Sequence, residues 1–284
     1  TFTMTASAPG GVVWTATATA AGPVVSNPST SVPVTIQAAA TLFAVSTATP
    51  ASVCAGGTYL CVVTVSNTPF AATADGVVPG PLAFGGTSVG PSAVGPTPSG
   101  GNIAGGAWLS FTWTVTAGSA GTVIADAAVT GQDANGGWST GTTAGPVTTP
   151  VLTAAALAVE INAPPAGSLI RGAGNPIVVT VSNTGGADAT GVTVALEVTS
   201  GAGTLTVAPA SQTVPGGGGL ATFAFTFTPT ATGAYAFSAT ATGGGCGPVS
   251  ASNAAAFTAI AAPGALSVSG VTLSPAGAVP PGGV

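Results

Sequence analysis

The chain has 284 residues, of which 46 % are hydrophobic and only 2 % are charged, with 44 Gly and 24 Pro. A disordered chain would be poor in apolar residues and rich in charge, so this composition indicates a folded protein. Arg171 is the only Lys or Arg, His is absent and the net charge is −5. We therefore expect neither nucleic-acid binding, which needs clustered cations, nor catalysis by a nucleophile that His or Lys activates.

The first 38 residues are predicted to be the last strands of a β-domain. The block TFTMTASAPGGVVWTATATA (1–20) aligns with LSFTWTVTAGSAGTVIADAAV (109–129) and LATFAFTFTPTATGAYAFSATA (220–241). The shared columns hold apolar residues (Phe2, Trp113, Phe225; Met4, Val115, Phe227) and turn glycines (Gly11, Gly121, Gly233). A block that occurs three times indicates a tandem repeat, in which each copy is one structural unit.

The beginning of the unit also occurs three times. Its versions are TLFAVSTATPASVCAGG (41–57), ALAVEINAPPAGSLIRGAG (156–174) and ALSVSGVTLSPAGAVPPGG (265–283), about 110 residues apart. We predict the C-terminal part of one domain, two whole domains and the N-terminal part of another (1–38, 39–150, 151–261, 262–284). The two parts lack about 45 residues of middle strands, and both ends of the sequence are interpreted as cuts through a longer repetitive polypeptide.

Each unit is predicted to be a sandwich of two antiparallel sheets. Phe223, Phe225 and Phe227 alternate with Ala and Thr, which gives one large apolar face and one face suited to partial exposure. Short strands with Gly/Pro turns, about 110 residues per unit and no helical periodicity are typical of such sandwiches. Tyr235 lies where a sandwich often has a corner tyrosine.

The heptapeptide VVTVSNT occurs twice, at residues 62–68 and 178–184. Period-2 alternation places Val63 and Val65 on one side of a strand, opposite Thr64 and its outward neighbours Val62 and Ser66. We expect Asn67 and Asn183 to end the two strands, because Asn tolerates left-handed backbone and bonds its own chain. The motif is thus interpreted as a core strand with its exit turn, present once in each domain.

The stretch VTVSNTGGADATGVTVALEV (179–198) resembles the strand–turn–strand signature of bacterial and archaeal surface repeats of the CARDB and DUF11 types. The resemblance covers both whole domains, but the first departs from it after SNT, in a long Gly/Pro-rich connection. It implies an all-β chain of tandem immunoglobulin-like sandwich domains, two whole and two partial. It also implies a secreted, cell-surface, adhesive or structural role, and it supplies no catalytic residues.

Three cysteines are available for disulfides. We favour a disulfide between Cys54 and Cys61, which bracket a short predicted hairpin. It would contribute about 2–3 kcal/mol in the chain-entropy model. Cys246 has no partner within its own domain, so it could pair between domains or between chains, or stay free. A disulfide would fit an oxidising exterior.

Acidic residues suggest two sites, each with a simpler explanation. Asp133 and Asn135 in DANGG are a weak calcium candidate, but an Asn-Gly sequence is more typical of a β-turn. Glu160 and Glu197 could approach each other across strands as a glycosidase pair, although both lie in strand patterns with no sign of a cleft. We expect no catalytic residue, no metal site of zinc type and no cofactor.

The four Trp residues divide into two pairs. Trp14 and Trp113 fall in or beside core columns, whereas Trp108 and Trp138 flank Gly-rich turns and could be exposed. Exposed aromatic rings can stack on sugars, but packing in the core or between domains is the more common role.

These observations predict a structural segment of a large secreted repeat protein that forms an extracellular fibre, sheath or surface layer. Its expected partners are copies of itself, because few charges keep copies apart, with surface glycans as a second class. No run of about 20 apolar residues predicts a membrane span. An adhesin stalk and a carbohydrate-binding accessory module are the alternatives.

Overall fold

The computed structural model describes residues 3–19, 21–22, 27–162, 164, 167–206 and 209–262. These residues form strands joined by turns and contain no helix, which confirms the all-β prediction. The chain divides into two compact units, Thr1–Ala154 and Ala155–Val284. Strand Val147–Leu152 runs through the boundary predicted at residue 150. The four-part division stays a prediction, and nearly all of its last part, 262–284, lies outside the described residues.

The first unit begins with two small antiparallel pairs. Their strands are β1 (Gly10–Val12), β2 (Thr15–Ala16), β3 (Ser29–Thr30) and β4 (Val34–Ile36). β1 pairs with β4 and β2 with β3, so the chain forms a hairpin of broken strands. The turn glycine with positive φ is Gly10, which matches Gly121 and Gly233, so the predicted assignment of that role to Gly11 was wrong by one residue. Phe2 lies outside the described residues.

The rest of the first unit is a β-sandwich. Its strands are β5 (Leu42–Thr49), β6 (Val53–Cys54), β7 (Thr58–Asn67), β8 (Ala74–Pro79), β9 (Ala83–Gly86), β10 (Ser92–Thr97), β11 (Gly101–Ile103), β12 (Trp108–Thr116), β13 (Gly121–Asp126), β14 (Ala128–Asp133), β15 (Ser139–Thr143) and β16 (Val147–Leu152). One sheet has the order β10-β12-β7-β5. The opposite side consists of two shorter sheets, β6-β16-β13-β9 and β11-β8-β14-β15.

The second unit is a sandwich of the same design with longer strands. They are β17 (Leu157–Asn162), β18 (Leu169–Ile170), β19 (Asn175–Asn183), β20 (Ala189–Ser200), β21 (Gly203–Thr206), β22 (Gln212–Val214), β23 (Gly219–Pro229), β24 (Gly233–Gly244) and β25 (Pro248–Ile260). One sheet has the order β17-β19-β23-β21, and the other has the order β18-β25-β24-β20-β22.

Prolines account for the divided sheet of the first sandwich. The second sandwich has continuous strands β20 and β25, whereas the first has the separate pairs β8/β9 and β15/β16. Pro81 and Pro146 lie in the two gaps, and a proline has no N–H to donate to a sheet ladder. Single backbone bonds at Gly80 and Ala144 carry the pairing across the interruption.

The side chains that the alternation predicts to face inward form the core of each sandwich. In β7, Val63 and Val65 are fully buried while their neighbours are half-exposed. In β23, Phe223 and Phe227 are fully buried, and the Phe227 ring meets Phe237 edge-to-face at 5.0 Å between centroids. Burying each such side chain contributes about 1.5–3 kcal/mol, so these alternating rows supply much of the stabilisation of each sandwich.

The repeated VVTVSNT motif ends in a buried Asn that joins three segments, which we name the Asn clamp. Asn67 Oδ1 accepts from Thr41 N (3.1 Å), and its Nδ2 donates to Ala72 O (2.8 Å) and Ile103 O (3.0 Å). The expectation that Asn ends the strand is confirmed. Its proposed left-handed backbone was wrong, because neither Asn67 nor Asn183 has a positive φ. Burial instead obliges the amide to find partners on neighbouring strands.

The corner tyrosine of the second sandwich has the expected bonds. Tyr235 lies near the start of β24, and its hydroxyl donates to Ala202 O (2.9 Å) or to Ala231 O (3.0 Å), four residues upstream. The same oxygen accepts from Ala231 N at 3.3 Å. The hydroxyl therefore fixes the connection between β23 and β24.

Candidate functional site

The cysteines do not pair as predicted within the hairpin. Cys61 is free and buried, whereas Cys54 is disulfide-bonded, so the expected Cys54–Cys61 bond is not formed. Cys61 faces the core from β7, while Cys54 lies on β6, which pairs with β16 in the opposite side of the sandwich. Val53 points into the core, so its neighbour Cys54 points away from Cys61. Cys246, left open by the sequence, is disulfide-bonded.

The free thiol of Cys61 lies in the packed core of the first sandwich, where the Tyr59 and Thr149 hydroxyls are also buried. Burial raises the pKa of Cys61. Burial also raises the pKa of Tyr59, and the nearby Thr149 hydroxyl opposes part of that rise. The Tyr59 and Thr149 hydroxyls have no hydrogen-bond partner in acceptable geometry. A raised thiol pKa and full burial describe an unreactive structural cysteine.

Asp133 holds a turn and the start of the first sandwich. Its Oδ2 accepts from Ala40 N (2.6 Å), and its Oδ1 accepts from the backbone N–H groups of Asn135 and Gly136 (both 2.9 Å). These three bonds, of which the bond from Ala40 N–H has the largest effect, hold the pKa of the Asp133 carboxyl below its usual range. Asn135 Nδ2 donates to Gln37 Oε1 at 3.2 Å. The geometry is that of the β-turn, with both carboxylate oxygens already bonded to N–H donors.

The other acidic candidates do not come together. Glu160 lies on β17 and Glu197 on β20, which belong to opposite sheets of the second sandwich. Their neighbours Val159 and Leu196 face the core, so both carboxylates point outward on opposite faces. The two carboxylates therefore do not approach each other, and the glycosidase pair weighed as an alternative is not formed. Within the described part of the chain, no group of three or more His, Cys, Asp or Glu residues could hold a metal ion.

The Trp residues separate as the sequence suggested. Trp113 is buried in the core, and Trp14 is half-buried. Trp108 and Trp138 are 68 % and 70 % exposed. The exposed pair therefore offers ring faces on the surface of the first unit.

Trp108 belongs to an exposed apolar surface that we name the apolar face. Strand register places Phe43, Ser66 and Trp108 in one row across β5, β7 and β12. Val45 lies in the next row and Leu60 further along β7, and Phe43 is 59 % and Val45 64 % exposed. None of the strands β5, β7, β10 and β12 contains an acidic or basic residue. The sequence did contain a sign of this surface, because the first four residues of β5, Leu42 to Val45, are apolar at both inward and outward positions.

The second sandwich repeats this feature in a reduced form. Leu220 is 65 % exposed and pairs with Ser182, as Trp108 pairs with Ser66. The other outward positions of β19 and β23 are mainly Ala, Ser and Thr. On the opposite sheet of this sandwich, the Thr193 and Thr242 hydroxyls pair across strands at 3.2 Å. Hydroxyl and methyl groups, rather than charges, thus cover much of this surface.

A polar cleft of about 500 Å³ lies on the outer side of β8, β14 and β15. Its lining comprises Asp75, Gly76, Thr130, Gly131, Gln132 and Ser139. Gly131 lies on the inward side of β14, where a Cβ would meet the buried Val77 side chain at 2.9 Å. The turn that carries Trp138 leads directly into Ser139.

Among the residues that the structure describes, no helix is long and apolar enough to cross a membrane. No protein-family model and no curated protein matches the chain. The resemblance to CARDB and DUF11 repeats therefore stays a prediction.

The solved structures to which the chain is distantly similar include the following three. The Yersinia pseudotuberculosis adhesin InvE is 17 % identical with a TM-score of 0.27, over 76 % of this chain. Red sea bream transglutaminase is 14 % identical with a TM-score of 0.27, over 76 %. Domains 4–9 of the surface layer protein SbsC are 15 % identical with a TM-score of 0.29, over 89 %. The chain spans 58 %, 31 % and 35 % of their respective lengths, and likenesses this distant carry no argument about function.

Proposed function

We propose that the chain is a structural, non-catalytic segment of a large secreted repeat protein that assembles with copies of itself. The assembly is an extracellular fibre, sheath or surface layer. The observation that carries the proposal is the apolar face, where Phe43, Val45 and Trp108 project from a sheet without charged residues. Exposed apolar patches on soluble proteins commonly mark contact sites.

Low charge supports association rather than isolation. The 284 residues include only six acidic residues and one basic residue, so electrostatic repulsion between copies is weak. An isolated stalk would need more solvating charge to remain apart from its neighbours. The outward hydroxyl rows add polar contacts that do not depend on salt.

The oxidised cysteines support a location outside the cell. Cys54 and Cys246 are both disulfide-bonded, and disulfides persist mainly in oxidising surroundings. The cell surface or extracellular space is therefore the proposed location.

Electron microscopy of the native extracellular material tests this proposal. Regular fibres or sheets with an axial repeat that matches a few sandwich domains are the expected result. Single flexible strands projecting from cells would overturn the proposal and favour the adhesin stalk.

Charges introduced into the apolar face test directly whether this face forms the contact between copies. We expect Phe43→Lys with Trp108→Lys to abolish concentration-dependent association in sedimentation velocity, because a desolvated ammonium opposes face-to-face contact. Val78→Lys is the matched control, since Val78 is 48 % exposed on the opposite side of the same sandwich. Equal association of both variants would exclude the apolar face as the contact.

The polar cleft favours a second candidate, carbohydrate binding by an accessory module. Asp75 and Gln132 supply an acceptor and an amide in the cleft, and Trp138 is an exposed ring nearby in sequence. Binding of the chain to a glycan array, lost in Asp75→Ala, would support this candidate. Retained binding in that variant would exclude the cleft.

A further inference from the structure

A small pocket with an exposed indole lies at the turn between β14 and β15. The cavity measures about 200 Å³, and we name it the Trp138 pocket. Its lining includes Gln37, Asp133, Asn135, Gly136 and Trp138. Among the described residues, the lining of the polar cleft shares no member with it. The pocket thus brings one aromatic ring together with two side-chain amides and one carboxylate.

Backbone hydrogen bonds fix the turn that carries the ring. Asp133 N donates to Trp138 O (2.9 Å), and Gly137 N donates to Asp133 O (2.8 Å), which closes the turn. Ala134 N donates to Thr73 O (2.9 Å) and ties the turn to the loop before β8. A turn held by this many bonds keeps its side chains in place before a ligand arrives, which lowers the entropy cost of binding.

Gly136 packs against the six-membered ring of the indole. A Cβ at this position would meet Cδ2 and Cε3 of Trp138 at 2.9 Å, so a glycine is needed for the ring to lie there. The ring nevertheless remains 70 % exposed. The turn backbone therefore supports the indole and leaves most of its surface available to a ligand.

The two amides come from different segments of the chain and are bonded to each other. Asn135 Nδ2 donates to Gln37 Oε1 (3.2 Å), and Gln37 Nε2 donates to Ala71 O at 3.5 Å. Ala72 N donates to Ala38 O (2.8 Å), which pins the segment that carries Gln37. An amide has two N–H donors and an oxygen with two lone pairs, so both exposed side chains retain groups that can bond a ligand.

The charge of the pocket argues against most other classes of ligand. Asp133 is the one charged residue in the described lining, and both of its oxygens already accept N–H groups. An anion would meet this carboxylate without a compensating cation, and calcium would find one carboxylate where it needs six to eight oxygens. An organic cation would find one ring instead of an aromatic cage. A neutral ligand with an apolar face and several hydroxyls matches both the ring and the amides.

The pocket is a feature of one sandwich and not of the shared fold. The turn at the same place in the second sandwich, between β24 and β25, comprises residues 245–247 and has neither an aromatic ring nor a side-chain amide. The sandwiches share the Asn clamp and the alternating core, so a ring that the fold required would be expected in both. The Trp138 turn is therefore an addition that packing alone does not explain.

We propose that the Trp138 pocket binds one neutral pyranose ring of a surface glycan. The C–H face of the sugar packs on the indole, and the Gln37 and Asn135 amides bond its hydroxyls. The cavity is smaller than the about 300–1,000 Å³ of pockets that enclose drug-sized ligands, so it holds a single ring of a longer glycan. This inference rests on carbohydrate binding, the second candidate function, and assigns it a subsite outside the polar cleft.

An array of neutral and sialylated glycans, probed with the full chain, tests the pocket. We expect the unmodified chain to bind glycans that end in neutral hexoses or N-acetylhexosamines, and Trp138→Ala to bind them about tenfold more weakly or worse. Trp108→Ala is the matched control, because it removes a ring of similar exposure outside the pocket and should keep the affinity. Full affinity in Trp138→Ala, or an equal loss in both Trp variants, would overturn the inference.

Two further variants test the amide and the support of the ring separately. Gln37→Ala removes one amide and leaves the bonds of the turn intact, so we expect binding about threefold weaker or worse with an unchanged melting temperature. Gly136→Ala removes no polar group but displaces the ring, so we expect a loss close to that of Trp138→Ala. Full affinity in both variants would overturn the assignment of the pocket.

Acrylamide quenching of Trp fluorescence gives a measurement that needs no substitution in the pocket. In Trp108→Ala the strongly exposed ring is Trp138, since Trp113 is buried and Trp14 is half-buried. A glycan that the array identifies should reduce the quenching of this variant, because the bound sugar covers the indole. Unchanged quenching at a saturating concentration of that glycan would place the sugar elsewhere and overturn the inference.

The inference and the candidate function on which it rests fail in distinguishable ways. Binding that is lost in Asp75→Ala but retained in Trp138→Ala would keep carbohydrate binding in the polar cleft and remove this pocket. An unmodified chain that binds no glycan in the array would remove both and leave the proposed self-assembly unaffected. Binding confined to sialylated glycans would overturn the assignment of a neutral ligand.

Discussion

Asn67 and Asn183 hold equivalent positions in the two sandwiches and form the same clamp. Asn183 Oδ1 accepts from Ala156 N (2.9 Å), and its Nδ2 donates to Ala187 O (2.8 Å) and Val214 O (3.1 Å). Each clamp joins the residue before the first sandwich strand, the loop after the motif and the end of a strand across the core. A glycine lies beside each clamp where no side chain would fit. A Cβ at Gly105 would collide with Ala71 O, and a Cβ at Gly216 would collide with Gly186 O.

We expect Asn67→Ala to lower the free energy of unfolding of the first unit by about 3 kcal/mol. The substitution leaves the buried carbonyls of Ala72 and Ile103 and the part-buried Thr41 N–H without their partner. Each buried group costs about 1–3 kcal/mol before water relieves part of the loss. Urea unfolding followed by Trp fluorescence measures the effect, because all four Trp residues lie in the first unit.

Asn102→Ala is the matched control for the Asn67 clamp. Asn102 Oδ1 accepts from Gly76 N in an exposed position, so water can replace it at little cost. A loss below about 1 kcal/mol for Asn67→Ala, or equal losses for the two variants, would contradict the clamp as a stabilising element.

The two tyrosines should respond in opposite ways to removal of the hydroxyl. Tyr235→Phe loses the bonds to Ala202 and Ala231, so we expect the second unit to lose about 1–2 kcal/mol. Tyr59→Phe removes a buried hydroxyl that has no hydrogen-bond partner, so we expect no loss or a gain in the first unit. Thermal unfolding by circular dichroism compares them, and a larger loss for Tyr59→Phe would contradict the assignment.

Local alternation made the strands predictable, whereas pairing across the sandwich did not follow from it. Val63, Val65, Phe223 and Phe227 face the core because a strand alternates its side chains whatever lies opposite. The Cys54–Cys61 pairing failed because closeness in sequence ignored the move of β6 to the opposite side of the sandwich. Which strand pairs with β16 depends on contacts about 100 residues away in the chain.

Local sequence patterns also could not predict which apolar side chains are exposed on the surface. Phe43 and Leu42 are neighbours of similar apolarity, but Leu42 is 4 % exposed and Phe43 59 %. Only the register of β5 against β7 tells which one faces the core. Likewise, the bonds of Asp133 to Ala40, 93 residues away, required the folded arrangement, although its local turn was readable from Asn-Gly.

Acid should weaken the first unit through Asp133. Its pKa is lowered in the folded state, so its contribution is present above the ordinary Asp value of about 4 and is lost as pH falls through the lowered value. In that window the unfolded chain binds more protons than the native chain. Unfolding followed by Trp fluorescence from about pH 6 to pH 2 should show this decline, and Asp133→Asn should flatten it. Asp75→Asn, which leaves the Ala40 bond intact, should keep the decline, and a flat profile for Asp75→Asn with a steep one for Asp133→Asn would contradict the assignment.

Thiol chemistry should distinguish the three cysteines. Cys61 is fully buried with its pKa raised by burial, and Cys54 and Cys246 are disulfide-bonded, so the native chain should resist a maleimide reagent. Unfolding without reductant should expose one reactive thiol per chain, and unfolding with reductant should expose all three. Mass spectrometry of labelled peptides assigns the sites, with Cys61→Ala as the control that removes the single non-reduced signal. Labelling of Cys54 or Cys246 before reduction would contradict this arrangement. So would recovery of a disulfide-linked Cys54–Cys61 peptide, because the Cys61 thiol faces the core from β7 and Cys54 points away from it on the opposite side of the sandwich.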